Sequence, residues 1–356
     1  MRRFGFLIHP LDVSDVAKKF KLAARLPARL VEGAIRLLPP VVMGHVTGVK
    51  SPLAEVEGWF VAVPLTPRQM MGLPERYVLR RIIQAGRVCE RLGAEILGLG
   101  AFTSVVGDAG ITVAKNLGIP VTTGNSYTVA TALQGTEEAA RLMGHDLTQA
   151  RVAVVGATGS IGACCARILA RKVRDLTLAG RSLDKLDALA RQILGETGLA
   201  VRVSTDVRGT VRRSQVVLTV SSAVGPVIEP EDLLPGAVVC DVARPRDTSR
   251  RVMQRDDVLV IEGGLVEVPG RPDLKSGLGL PPGQALACMA ETMILALEGR
   301  LESFTLGREL TVEQVDEITR LASKHGFGLA GFRSFERELD PGRVALIRAR
   351  AAGARA

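Results

Sequence analysis

The stretch RVAVVGATGSIG, residues Arg151–Gly162, decides the fold of this chain. An apolar run, Val152–Val155, is followed by Gly156, Gly159 and Gly162 and then by a segment compatible with a helix. This order predicts the strand, glycine turn and helix of a dinucleotide-binding βαβ unit. The first glycine permits the tight turn, the second lets the backbone approach a pyrophosphate, and the third lets helix and strand pack closely. The helix N-terminus then points N–H groups at the phosphates.

The residues after the next predicted strand, Leu176–Ala179, indicate which dinucleotide binds. An NAD site places an acidic residue there to accept from the ribose 2′-OH. This chain instead has Gly180-Arg181-Ser182, with no acid before Asp184. An arginine fork and a hydroxyl suit a 2′-phosphate, so the sequence predicts NADP(H). The alternative interpretation is that Arg181 is an ordinary exposed arginine.

Strand and helix patterns alternate through most of the chain. Four more strand-like segments follow: Val201–Ser204, Val216–Val220, Val238–Asp241 and Val258–Ile261. We therefore predict an α/β fold with a Rossmann-type doubly wound parallel sheet, an N-terminal α/β substrate domain and a C-terminal helical segment. The expected boundaries are 1–148 for the substrate domain, 149–280 for the NADP(H)-binding domain and 281–356 for the helical segment. Within them we also expect a basic helix from Val13 to Ala24, a Gly/Pro-rich link over Pro269–Gly283, a capping box at Thr311 and Gln314, and a frayed tail after Pro341.

Ligands of open α/β sheets bind beyond the carboxyl ends of the strands. Ser221, Asp241 and Gly263 follow such ends and should line the nicotinamide side. The alternative is that Asp241 caps a strand and that Gly263 belongs to a plain turn. The predicted cofactor-binding residues are Gly156, Thr158, Gly159, Ser160, Ile161, Gly162, Arg181, Ser182, Ser221, Asp241 and Gly263.

Composition excludes several classes of protein. The chain has 356 residues, of which 47% are hydrophobic and only 3% aromatic, and its formal net charge is +9. No apolar run approaches the ~18 residues of a membrane span, although peripheral membrane contact stays open. The N-terminal apolar run is too short for a signal-peptide core, so we expect a cytoplasmic protein. The five cysteines and four histidines show no metal-ligand spacing, so no metal is predicted.

The positive charge has a local component in the N-terminal part. Arg76, Arg80, Arg87 and Arg91 fall on one stripe of a predicted helix. They are either solvated arginines or a docking face for an acidic protein. No nucleic-acid module accompanies them, so a nucleic-acid partner is not expected.

Two segments carry candidate catalytic groups. Cys288 lies in the helical pattern GQALACMAETMILALEG, and the residues alone favour a buried, structural cysteine. A place near a helix N-terminus would favour its thiolate, but the pattern puts it beyond the first turn. Glu291, at i+3, would raise the thiol pKa unless it takes the proton as a base. The second segment, Thr122–Thr128, either caps a helix through Asn125 or Ser126 or faces the cofactor with its donors.

Six stretches, in this order, resemble the cyanobacterial long-chain acyl-acyl carrier protein reductase family. They are LGLGAFTSVVG (97–107), TTGNSYT (122–128), VAVVGATGSIG (152–162), IEGGLVE (261–267), ACMAETMILALEG (287–299) and SKHGF (323–327). The resemblance covers most of residues 40–330. The chain departs from it at Ser160, where the family has an acidic residue, and at Tyr127, where we expect histidine.

The resemblance implies a reaction. The family makes fatty aldehydes from acyl carrier protein thioesters with NADPH through an acyl-enzyme on a cysteine, which Cys288 matches. Ser126 and Tyr127, with Asn125, are then candidates to stabilise the oxyanion, and Glu291 is a candidate base. The partner would be an acidic acyl carrier protein or acyl-CoA; the oligomeric state is not indicated. The alternatives are a shikimate- or quinate-type NADP-dependent dehydrogenase without a covalent intermediate and a non-catalytic NADP(H)-binding sensor.

Overall fold

The computed structural model describes residues 1–19, 25–223, 225–243, 245–274 and 279–355. The chain divides into two compact units. Unit 1 comprises Met1–Tyr127, Val266–Glu309 and Asp316–Gly328, and unit 2 comprises Thr128–Leu265, Leu310–Val315 and Leu329–Ala356. The segment 281–356, predicted as a separate helical part, thus contributes residues to both units.

Short strands and helices alternate along the described residues. The strands are β1 (Arg2–Ile8), β2 (Val41–Lys50), β3 (Glu55–Ala62), β4 (Ile96–Leu99), β5 (Val121–Thr122), β6 (Arg151–Val155), β7 (Asp175–Ala179), β8 (Arg202–Ser204), β9 (Val216–Thr219), β10 (Val238–Asp241), β11 (Leu259–Glu262), β12 (Leu265–Glu267), β13 (Gly270–Asp273), β14 (Gln284–Leu286), β15 (Gly328–Leu329), β16 (Arg333–Ser334) and β17 (Arg337–Glu338). The helices are α1 (Val13–Lys19), α2 (Ala28–Leu37), α3 (Pro67–Gly72), α4 (Glu75–Arg91), α5 (Ile111–Lys115), α6 (Asn125–Leu142), α7 (Ser160–Leu169), α8 (Leu183–Thr197), α9 (Val207–Val211), α10 (Ala287–Glu298), α11 (Val312–His325) and α12 (Pro341–Arg355).

Unit 2 is built on a six-stranded sheet in the order β11-β10-β9-β6-β7-β8. All of its pairings are parallel. Strand β6, which comes first in the chain among the strands of this sheet, lies centrally, and the sheet grows from it in both directions, which is the doubly wound arrangement. The strands are rich in buried Val, Leu and Ala, as both faces of a parallel sheet require. The predicted α/β fold class and parallel sheet are confirmed.

Unit 1 contains a mixed sheet in the order β13-β2-β3-β1-β4-β5. Strands β3, β1, β4 and β5 run parallel, and β2 lies antiparallel to both β3 and β13. A Cβ at Gly5 of β1 would lie 2.6 Å from Cys89 Cβ of α4, and one at Gly98 of β4 would lie 2.1 Å from Thr292 Oγ1 of α10. Helices α4 and α10 therefore pack closely on this sheet at positions that only glycine permits.

The structure corrects some of the sequence predictions and confirms one of them. Helix α1 ends at Lys19, and Phe20–Ala24 of the predicted basic helix lie outside the described residues. The link Pro269–Gly283 contains strand β13, which extends the unit 1 sheet. The tail after Pro341 is not frayed but forms α12, because Val344, Ile347 and Ala351 are buried at helical spacing. The capping box at Thr311 is confirmed: Gln314 N donates to Thr311 Oγ1, and Thr311 N donates to Gln314 Oε1.

Candidate functional site

The glycine turn of unit 2 has the geometry that a dinucleotide needs. Gly156 has φ +78°, and a Cβ there would lie 2.8 Å from the carbonyl oxygen of Val220. A Cβ at Gly162 would lie 2.3 Å from the carbonyl oxygen of Gly156, so the third glycine permits close packing of α7 on the turn. At Gly159 the nearest atom to a Cβ would be 3.4 Å away. The second glycine therefore opens onto space that a phosphate can enter.

Polar groups around this turn lack partners within the described residues. The Ser160 hydroxyl, at the first position of α7, is buried and makes no hydrogen bond. Ser182 is the N-cap of α8, but its side chain caps nothing. Arg181 is exposed beside it. An unpaired buried hydroxyl at a helix N-terminus and an exposed guanidinium after β7 fit a phosphate-bearing cofactor, and Thr158, Ile161 and Ser221 lie with them at this edge of the sheet.

A carboxylate that sequence reasoning missed holds the chain at the end of strand β9. Asp247, fully buried, accepts hydrogen bonds from the Thr219 hydroxyl and from the Ser221 hydroxyl and backbone N–H. It thereby fixes the chain after β9, where Ser221 is predicted to meet the cofactor. Asp241 also faces the backbone, accepting from Ala243 N at 3.1 Å and Thr248 N at 2.8 Å. These contacts correspond to the strand-capping alternative for Asp241.

Gly263, the last predicted cofactor residue, lies in a packed turn. A Cβ there would come within 2.7 Å of Val242 Cγ2 and 3.1 Å of Cys240 Sγ. Only glycine fits at this position. The contacts explain the residue type by packing, which is the plain-turn alternative.

In unit 1, Cys288 occupies the second position of α10, whose N-cap is Leu286. The sequence placed it beyond the first turn, and that prediction is wrong, because Gln284–Leu286 form β14 instead of the first helical residues. All five cysteines are among the described residues, and Cys288 is half-buried whereas Cys89, Cys164, Cys165 and Cys240 are buried. Burial raises the pKa of Cys89 to about 12 and that of Cys165 well above its ordinary value. Cys288 is thus the one cysteine of the five that is not buried.

Gly124 brings the polar segment 122–128 against this cysteine. Its φ is +76°, and a Cβ would lie 2.3 Å from Cys288 Cα and 2.4 Å from Cys288 Cβ. The turn that starts α6 and the turn that starts α10 therefore touch at backbone distance. Asn125, half-buried, follows directly at the first position of α6.

Glu291 joins the two turns. It is fully buried, and its carboxylate accepts five hydrogen bonds. Oε1 accepts from Gly124 N at 3.1 Å and from the hydroxyls of Thr122 and Thr305; Oε2 accepts from Ser126 Oγ at 2.6 Å and Tyr127 N at 3.0 Å. An ionised carboxylate has about four lone-pair positions, so this one is saturated. Glu291 of α10 thus accepts hydrogen bonds from the N-terminus of α6, and the Ser126 hydroxyl donates one of them.

Burial also affects the protonation of the Tyr127 phenol. The side chain is buried, and desolvation raises its pKa above the ordinary value of 10. Its phenol is therefore protonated at neutral pH. It can take part in hydrogen bonds but cannot serve as a base there.

The loop after β4 lies at the same sheet edge and contains two residues in the left-handed region, Ala101 (φ 47°) and Ala109 (φ 53°). Phe102 N of this loop donates to His9 Nε2 at 3.2 Å, and His9 Nδ1 pairs with the carbonyl oxygen of Pro10 at 3.0 Å. Nε2 accepts and therefore requires neutral His9, with the ring proton on Nδ1, which donates to Pro10. Desolvation lowers its pKa below the ordinary 6.5.

This contact predicts acid sensitivity of the fold. The unfolded chain takes up a proton on His9 near pH 6.5, and the folded chain only at lower pH. The stability that neutral His9 contributes is therefore complete above pH 6.5 and is lost as the pH falls toward the folded-state pKa. We expect denaturant unfolding from about pH 7.5 to about pH 5.5 to show a smaller loss of stability in His9→Gln than in the parent chain. The exposed His45→Gln is the control; equal slopes in all three proteins would contradict the prediction.

In the part of the chain that the structure describes, no helix has the length and apolar character of a membrane span. No group of three or more His, Cys, Asp or Glu side chains there could hold a metal ion.

The chain is similar in part to known proteins. Residues 137–262 match the family described as Shikimate / quinate 5-dehydrogenase. The chain is 34% identical to "Aminotransferase PigE" of a Serratia species over 96% of its own length, but it spans only 41% of that protein. It is 28% identical to "Long-chain acyl-[acyl-carrier-protein] reductase" of Synechococcus elongatus, over 81% of this chain and 87% of that protein. Over 51% of the chain and 42% of the other protein it is 24% identical to "Glutamyl-tRNA reductase" of Cyanophora paradoxa.

These similarities agree with the geometry of unit 2. The chain has an oxidoreductase-type dinucleotide-binding fold, and the predicted NADP(H) is consistent with the turn and with Arg181. The described structure also explains why the glycine turn was recognisable from sequence alone. Gly156 and Gly162 are each required by a close local contact, and Gly159 keeps open the space between them.

Proposed function

We propose that this chain reduces an acyl thioester, carried by acyl carrier protein or CoA, to an aldehyde with NADPH through an acyl-enzyme on Cys288. The observation that carries the proposal is the half-buried Cys288 at the N-terminus of α10, against the N-terminus of α6 at Gly124. The similarity to a long-chain acyl-acyl carrier protein reductase covers 81% of this chain and supports the same chemistry.

The first step is thiol exchange at Cys288. The α10 N-terminus favours the thiolate, since the unpaired N–H groups and the helix dipole stabilise negative charge in the first turn. The Cys288 sulfur attacks the thioester carbonyl carbon, a new C–S bond forms, and the carrier sulfur leaves with the electron pair. A developing oxyanion needs a donor. Ser126 Oγ and Tyr127 N are bonded to Glu291, so the Asn125 amide is the candidate donor from this turn.

The second step is reduction of the acyl-enzyme. NADPH, when bound, would be held by the turn Gly156–Gly162 and by Arg181 and would supply one hydride. The resulting hemithioacetal on Cys288 collapses to the aldehyde and restores the thiolate. Overall, one thioester, one hydride and one proton give one aldehyde and one carrier thiol. Glu291, whose oxygens are saturated, acts as a positioning residue that holds Gly124 against Cys288.

A second candidate function follows from the family match of residues 137–262. A shikimate- or quinate-type dehydrogenase would oxidise a hydroxy acid and would need no thiol. Intact-mass analysis after incubation with an acyl carrier protein thioester, without NADPH, separates the two. An acyl adduct on Cys288 supports the reductase, and turnover of hydroxy acids without an adduct supports the dehydrogenase. Tight NADPH binding with neither activity would indicate a sensor.

Cofactor choice gives a separate prediction. Replacing Arg181 with alanine removes the guanidinium predicted to pair with the 2′-phosphate, and hydrogen bonds to charged groups contribute about 1.5–3 kcal/mol. We expect the Kd for NADPH to rise by roughly 10- to 100-fold while the Kd for NADH changes little. Fluorescence titration measures both. Arg191→Ala, an exposed arginine of the same helix region, is the control; equal weakening of NADPH and NADH would refute the assignment.

A further inference from the structure

One face of α4 in unit 1 carries four exposed arginines, Arg76, Arg80, Arg87 and Arg91, which we call the arginine stripe. The opposite face of the helix buries Val78, Ile82, Ala85, Gly86 and Cys89. The apolar contacts therefore fix the rotation of α4, and the stripe must face outward.

The arginine stripe has no acidic partner among the described residues. Some other exposed arginines of unit 1 do have acidic partners, such as Arg3 with Glu57 at 2.8 Å and Arg68 with Glu32. Among the described residues, exposed Arg2, Arg29 and Arg36 have none, but they do not form a row on one helix face. Arg76 and Arg80, and likewise Arg87 and Arg91, are like charges at i,i+4, an arrangement that destabilises a helix by a few tenths of a kcal/mol per pair. An uncompensated row of like charges is better explained by an anionic partner than by the stability of the helix.

One end of the arginine stripe reaches the loop beside the candidate site. A Cβ at Gly107 would lie 3.3 Å from Leu79 Cδ1 and 3.5 Å from Glu75 Oε1, so the first turns of α4 touch the loop after β4. A Cβ at Gly110 of the same loop would lie 3.6 Å from Thr123 Cγ2, next to the Gly124 turn that contacts Cys288.

The other end of the arginine stripe leads away from the site. Gly93, just beyond α4, lies near Arg3 at the start of β1. From Arg76 to Arg91 the stripe is about 22 Å long at 1.5 Å per residue. A row of this length matches the surface of a small protein better than that of a single phosphate.

We propose that the arginine stripe docks an acidic carrier protein that presents its acyl group as a thioester on a flexible arm, with Arg76 and Arg80 nearest the site. This inference rests on the proposed function and adds the surface that the carrier recognises. The charges would act mainly on association, because exposed charges steer the encounter and are screened by salt. The arginine stripe then distinguishes a carrier-bound thioester from the same acyl group on a small neutral thiol.

The experiment compares Arg76→Glu/Arg80→Glu with the parent chain on two substrates that carry the same acyl group. One is acyl carrier protein, and the other is the neutral N-acetylcysteamine thioester. We expect kcat/KM for the carrier substrate to fall at least about tenfold and the parent value to decrease steeply with salt. The value for the neutral thioester should change less than about twofold. Arg87→Glu/Arg91→Glu should have a smaller effect, and Arg191→Glu/Arg213→Glu on unit 2 controls for net charge.

A binding measurement separates failure of this inference from failure of the proposed function. Fluorescence anisotropy of labelled acyl carrier protein reports docking without turnover. Unchanged carrier affinity and kcat/KM in Arg76→Glu/Arg80→Glu would overturn the docking surface while leaving the reductase intact. Stripe-dependent carrier binding without aldehyde formation from either substrate would support the surface and overturn the reaction. Self-association of the chain that the variant abolishes, with carrier binding unaffected, would assign the face to a second copy and reject the proposal.

Discussion

Cys288→Ala is expected to abolish the acyl adduct and to lower aldehyde formation from an acyl thioester at least about 10³-fold. The proposed reaction passes through a covalent bond to the Cys288 sulfur, and the other four thiols are buried. The measurement is NADPH-dependent aldehyde production, followed with the intact mass of the protein. NADPH affinity should be unchanged, because the predicted cofactor residues belong to unit 2.

The other cysteines provide an internal control for this prediction. Native protein treated briefly with iodoacetamide should gain a single adduct, which Cys288→Ala lacks, since burial keeps Cys89 and Cys165 protonated and unreactive. Cys288→Ser tests the thiol with almost the same shape. If either variant retains full aldehyde formation, the covalent mechanism is refuted, and the dehydrogenase alternative gains weight.

The sequence predicted those features that depend on neighbours in the chain. The βαβ turn was recognised because Gly156, Gly159 and Gly162 meet their constraints within a few residues of one another. The strands of the parallel sheet were found because each is a short apolar run. The capping box at Thr311 is likewise a local pattern, and it forms as expected.

Features that depend on distant residues were missed. Residues 284–286 continue an apolar, helix-compatible pattern, but the structure places them in β14 of a small sheet, which moves Cys288 into the first turn of α10. Asp247 gave no signal because its partner Ser221 is 26 positions away. For the start of α6 the sequence offers local capping by Asn125 or Ser126 as one of two interpretations, whereas the acceptor in the structure, Glu291, is 164 positions from Tyr127.

Glu291→Ala is expected to be the most destabilising single change at the candidate site. It removes the acceptor of five buried hydrogen bonds, among them those donated by Gly124 N, Tyr127 N and Ser126 Oγ. Each buried unsatisfied donor costs about 1–3 kcal/mol, so with partial relaxation the free energy of unfolding should fall by at least about 3 kcal/mol. Glu291→Gln keeps the shape but turns an amide N–H toward a donor, and it should cost about 1–3 kcal/mol. Denaturant unfolding measures both changes.

Glu291→Gln also distinguishes positioning from base catalysis. If Glu291 were a base, this variant would shift the pH profile of Cys288 alkylation toward that of an ordinary thiol. A positioning residue would lower stability, and activity would decline with it while the alkylation profile keeps its midpoint. Glu302→Gln, an exposed carboxylate paired with Arg300, is the matched control and should change stability by no more than about 0.5 kcal/mol. Hydrogen bonds saturate both Glu291 oxygens and leave no lone pair for the thiol proton. We therefore expect Glu291 to act by positioning and Glu291→Gln to lower stability. An unchanged Tm in Glu291→Gln would contradict this expectation.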